Sequence, residues 1–185
     1  MERKFLLTAL YSVMLLGMTL TAANVSNAAS AAEISRDAKA ALQKLYAKSP
    51  PAKALGEKAA AILVFPAITK GGLIVGGQYG EGVLMKGPRA TGYYNTVSVS
   101  YGLQAGVQKY GYALFFMTES ALAYLDKSDG WELGTGPSIV VVDVGAAGGI
   151  TTTTAKSDVY AFFFDQKGLM AGLGLQGTKI TKIKK

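Results

Sequence analysis

Two rhythms of hydrophobic and polar positions divide the chain. From Ile34 to Leu45 the apolar residues Ile34, Ala38, Ala41, Leu42 and Leu45 recur at helical spacing, and Arg36, Lys39, Lys44 and Lys48 lie mostly off that stripe. Ser30-Ala31-Ala32-Glu33 has the form of a capping box at its start. The pattern predicts an amphipathic helix ending near Ser49-Pro50-Pro51. Ser49 can cap a second helix over Ala52–Ala60, with Pro50 suited to its first turn.

After residue 60 the pattern shortens. Ile62–Phe65 is an apolar run closed by Pro66, Lys70-Gly71-Gly72 turns the chain, and Leu73–Val75 is a second run. GGQYGEG then leads into Val83-Leu84-Met85. Short runs bounded by Gly and Pro predict strands, and glycine within them marks bends, bulges or close backbone approaches. Lys86-Gly87-Pro88-Arg89 reads as a turn. Tyr93–Tyr101 alternates, with Tyr93, Asn95, Val97, Val99 and Tyr101 on one side and Tyr94, Thr96, Ser98 and Ser100 on the other, as in a half-exposed strand. Tyr112–Met117 and Ile139–Val142 are further strands. Thr118 or Ser120 can cap a short helix through Leu125, with Leu122 and Leu125 facing the core. Trp131 reads as a core anchor, and Thr151–Thr154 as an irregular or edge segment. Val159–Phe164 and Leu169–Leu175 form a hairpin signature around Asp165–Gly168, and Thr178–Ile183 closes the chain. The expected fold is α+β: a mostly antiparallel, bent or barrel-like β-sheet with two N-terminal helices and one short middle helix. No linker divides residues 29–185, which read as a single domain.

Residues 1–28 stand apart. Arg3 and Lys4 precede the apolar Phe5–Leu20, and Ser26-Asn27-Ala28 or Thr21-Ala22-Ala23 fits a cleavage site. This is the pattern of a signal peptide, cut after Ala23 or Ala28; an uncleaved anchor helix is the alternative. The expected location is the periplasm or the cell surface, in peripheral association with a membrane. Loss of Glu2, Arg3 and Lys4 with the signal lowers the net charge from +7 to +6. Outside the cytoplasm, such a cation meets anionic lipid or glycan rather than nucleic acid.

The chain has no cysteine and no histidine. That excludes disulfides, thiolate or imidazole metal ligands, a thiol nucleophile and a histidine base. Glycine-rich GGQYGEG lacks the Lys-Ser/Thr of a phosphate loop and the third glycine of a dinucleotide fingerprint. Gly72, Gly76 and Gly80 have helix-packing spacing, but Gln78 and Glu81 interrupt the apolar run. Asp126–Gly130 lacks the oxygen ligands of a calcium loop at its fifth and twelfth positions. What remains for catalysis is Ser or Thr with a lysine base, or scattered carboxylates, none at a telling spacing. No enzyme and no cofactor is expected.

The run Ala61–Pro66, then Lys70-Gly71-Gly72, then Val75–Leu84 resembles the SYLF domain, also called the Ysc84-type domain. Phe116-Met117-Thr118, Trp131-Glu132-Leu133-Gly134, Lys167-Gly168-Leu169 and Ala171-Gly172 follow in matching order. The resemblance implies a non-catalytic phospholipid-binding module. Eukaryotic relatives bind phosphoinositides and fungal ones also bind actin. It attributes lipid contact to a basic surface and to the amphipathic N-terminal helix, whose counterparts here are Arg36, Lys39, Lys44, Lys48, Lys53 and Lys58, with Lys70. Many bacterial relatives carry a lipid-modified cysteine, which this chain lacks. The expected partner is therefore an anionic phospholipid surface, with self-association or a protein-scaffold role as the alternative.

Overall fold

The computed structural model describes residues 29–72, 75–101, 106–127, 129–143, 157–167, 175 and 177–185. The signal-like segment and Thr151–Thr154 lie outside the described residues, as does nearly all of Leu169–Leu175.

Helix α1 spans Ala31–Lys48. The capping box forms as the sequence implies: the Glu33 amide donates to Ser30 Oγ at 3.3 Å, and the Ser30 amide donates to Glu33 Oε2 at 2.8 Å. The Ser49 amide closes α1 on the Leu45 carbonyl at 2.8 Å. Its hydroxyl accepts from Ala52 to start α2, Pro50–Gly56. α2 stops short of the expected Ala60 because the Ala60 amide is taken by the Phe116 carbonyl at 2.8 Å, which commits the chain to the sheet.

Four long strands follow: β1 Ala61–Gly72, β2 Val75–Lys86, β3 Arg89–Tyr101 and β4 Gly106–Phe116. Two expectations fail here. Pro66 does not close β1: the register shifts between Val64 and Ala67 against β2, and between Phe65 and Ile68 against β4. Pro66 thus sits in a bulge, where its missing N–H leaves no gap in the ladder. Lys70-Gly71-Gly72 does not turn either, since these residues pair with Gln78, Gly77 and Gly76. Gly87-Pro88 makes the two-residue turn between β2 and β3, with Gly87 at φ +57°. Thr118 caps the short helix α3, Glu119–Leu122, which runs on as a 3-10 turn through Asp126.

The remaining strands are β5 Trp131–Glu132, β6 Ile139–Asp143, β7 Val159–Lys167 and β8 Lys179–Ile183. β7 runs past the expected end at Phe164. Asp165, at φ +51°, is the extra residue of a bulge facing the step from Lys109 to Gly111. The sheet order is β5-β8-β3-β2-β1-β4-β7-β6, antiparallel except for the parallel pair β6–β7.

The sheet curls into a half-barrel. Thr96 of β3 and Tyr112 of β4 hydrogen-bond at 2.8 Å, although β2 and β1 lie between them. A flat sheet would hold strands three places apart at about 14 Å. The concave side is filled by Leu63, Phe65, Tyr112, Leu114, Phe116 and Trp131, with α3 against it. Gly82 permits this packing. A Cβ there would come within 2.6 Å of the Phe65 ring. The convex side carries α1 and α2, packed over Ile62, Val64, Val83, Met85, Ala113 and Phe115.

Candidate functional site

The basic residues of α1 and α2 stand on the convex side. The apolar stripe of α1, from Ile34 through Ala38 to Leu45, is buried against the sheet. It is therefore not free to enter another apolar phase. Of the basic side chains, Arg36 pairs with Asp37 at 2.9 Å and Lys48 with Asp165 at 3.3 Å, both on the surface. Such exposed pairs contribute little stability. Lys39, Lys44, Lys53 and Lys58 are exposed and have no hydrogen-bond or ionic partner among the described residues. Lys53 also borders a cleft of about 260 Å³ lined by Leu42, Tyr46 and Met85.

Lys70 is not with them. It lies two residues beyond the buried Ile68, in the register row Gln108–Lys70–Gln78–Ser98. The structure thus places five of the seven sequence-derived residues on the two helices and Lys58 in the turn just after α2. The seventh belongs to the concave side, at the other end of the sheet.

That other end has its own chemistry. Beyond the Pro66 bulge, no helix among the described residues covers the convex positions of β1–β4, and the burial pattern changes. Gln78, Thr96 and Gln108 point inward and are buried, Gln108 being 3% exposed. Val75, Tyr79, Val97, Val99 and Val107 point outward, with Val99 at 59% and Val107 at 63% exposure. Inside, Tyr110 Oη donates to Gln78 Oε1 at 2.6 Å, and Gln78 Nε2 donates to Thr178 Oγ1 at 3.2 Å. Gln108 Oε1 is buried without a partner among the described residues. Burial pushes the Tyr110 hydroxyl up to about 12 and that of Tyr112 upward as well.

Register places these outward residues in rows. Val107, Gly71, Gly77 and Val99 lie side by side across β4, β1, β2 and β3. The next row back reads Lys167, Lys109, Thr69, Tyr79, Val97 and Lys179 from β7 to β8. Its three lysines are exposed and unpaired among the described residues. Tyr79 Oη donates to Glu81 Oε1 at 3.0 Å. Glu81 also pairs with Lys185 at 2.9 Å, and their side chains are only 12% and 11% exposed. The apolar row was not legible in the sequence. Alternation in β3 was visible, but nothing local says that Ser98 and Ser100 take the inner side.

A family model described as Ysc84, Las17-binding protein actin regulator, matches residues 97–185. The matched span opens inside β3 and holds β4 to β8 and α3. It includes the segments Phe116–Thr118, Trp131–Gly134 and Lys167–Leu169. The helices, β1 and β2 precede it, and so does the glycine-patterned block Val75–Leu84. No curated protein matches the chain. Among the described residues, no cluster of acidic, histidine or cysteine side chains could hold a metal ion, and no helix is long and apolar enough to cross a membrane.

Proposed function

We propose that the protein is a non-catalytic module that binds anionic phospholipid at a membrane surface, and that it works peripherally in the periplasm or at the cell surface. One observation carries the reading. Lys39, Lys44 and Lys53 project from helices whose apolar faces are already buried, and Lys58 from the turn after α2, with no acidic partner among the described residues to neutralise them. Each lysine held near an anionic surface contributes about 1 kcal/mol, screened by salt. The paired Arg36 and Lys48 add to the same field. The sequence resemblance and the partial family match agree with a binding role.

The test is sedimentation with vesicles of phosphatidylcholine alone and with added phosphatidylglycerol, at low and high salt. Binding to the anionic vesicles alone, weakened by salt, is expected. Equal sedimentation with both vesicle types would end the proposal. The second reading is a protein partner, favoured by the Las17-binding description of the family whose model matches residues 97–185. It gains if the protein ignores both vesicle types.

A further inference from the structure

We infer that the helix-free end of the half-barrel enters the interfacial layer of an anionic bilayer, with Val75, Tyr79, Val97, Val99 and Val107 against lipid. The inference rests on the lipid-binding reading above and adds an apolar contact surface to the helix lysines. The helices supply charge, and the sheet end supplies the apolar anchor.

Three features of this end argue for lipid. First, Val75, Val99 and Val107 are exposed on its outward side while Gln78 and Gln108 are buried on its inward side, the reverse of what a water-soluble sheet favours at those positions. That reversal suits a strand with hydrocarbon outside and water inside. Gln78, Thr96 and Gln108 on the concave side keep their hydrogen-bonding environment while the convex side loses water. Second, the lysines are placed at headgroup depth. Lys109, Lys167 and Lys179 occupy the row two residues behind Val99 and Val107, about 7 Å back along the strands. An interfacial element buries its apolar face about 5–10 Å below the headgroups. Third, Tyr79 shares the lysine row, half-exposed with its hydroxyl bonded to Glu81. Tyrosine favours that boundary because one end is apolar and the other wet.

Depth is limited by the edges. Among the described residues the sheet is open, ending in β5 on one side and β6 on the other. Unpaired strand edges are not tolerated in the hydrocarbon core, so one copy dips into the interface and does not span.

A second copy is the rival occupant, and the same experiment separates it. The variant Val97→Thr/Val99→Thr/Val107→Thr keeps β-branching at exposed positions and so preserves the strands. Val99→Asp/Val107→Asp is the stronger version. Both are compared with the wild-type protein by flotation with vesicles containing phosphatidylglycerol, and by sedimentation velocity without lipid; circular dichroism checks the fold. The expected result is a monomeric wild-type protein that floats. The aspartate variant loses roughly tenfold or more in apparent affinity and the threonine variant falls between. Wild-type flotation matched by both variants would overturn the inference and leave the lipid-binding reading standing. A lipid-free dimer that the aspartates dissolve would overturn it too, by assigning the face to a second copy. Failure of the wild-type protein to float would remove both.

Discussion

The same four strands meet two different fates along their length. At one end, β1, β2 and β4 are covered on both sides. Phe115 and Val64 lie under the helices, and Leu63 and Phe116 lie in the concave core. At the other end no helix among the described residues arrives, Gln78 and Gln108 are buried inside, and Val75, Val99 and Val107 are exposed outside. The Pro66 bulge marks the change. On the inferred orientation, stability and lipid contact are separated along one sheet. The covered end holds the fold together, and the bare end can keep valines in solvent because its removal from water is not needed for folding.

Substitutions at the two ends should therefore behave differently. Phe115 is fully buried and packs edge-on to Phe162 with ring centroids 5.0 Å apart. Phe115→Ala should cost about 3–5 kcal/mol in urea unfolding. Val99→Thr at the bare end should stay within about 0.5 kcal/mol. Similar losses at both positions would mean that the bare face is covered in solution.

Gly82 tests the boundary. Gly82→Ala would put a methyl group 2.6 Å from the Phe65 ring and 2.5 Å from the Val64 carbonyl. Overpacking of this kind costs about 1–3 kcal/mol. A neutral result would show that the strands can move apart beside the bulge.

The polar interior of the bare end is open to a pH test. Burial raises the Tyr110 hydroxyl from its ordinary value of 10.0 to about 12, so the unfolded chain gives up this proton first. Its contribution is complete below the unfolded value and is lost as pH rises from 10.0 towards about 12. The thermal midpoint should fall across that window, and Tyr110→Phe should shrink the fall. At neutral pH the variant should be less stable by about 1 kcal/mol, because Gln78 Oε1 loses its donor. A small effect is expected at the helices. Ser30→Ala removes the α1 cap and should also cost about 1 kcal/mol or less at this exposed site.

The covered end was largely legible in the sequence. Ser30, Glu33 and the Ile34–Leu45 stripe specify α1 locally, Ser49 and the prolines specify the step to α2, and Trp131 reads as core because little else can hold a buried indole. The bare end was not legible, for a physical reason. Whether Pro66 ends a strand or sits in a bulge depends on the register of two neighbouring strands. Which side of β3 faces inward depends on how far the helices reach along the sheet. Both are contacts between residues distant in sequence. The basic set was half legible for the same reason: helical spacing groups Arg36 to Lys58, but only strand register separates Lys70 from them.

On the inferred orientation the bare end, and not the helix face, goes into lipid. The absence of cysteine makes it directly measurable. A nitroxide is attached at Val99→Cys or at Lys44→Cys, and its collisions with oxygen and with a water-soluble nickel chelate are compared on anionic vesicles. The label at position 99 should meet oxygen and be shielded from the chelate, while the label at position 44 should stay in water. A shielded label at position 44 with a fully aqueous one at position 99 would contradict it.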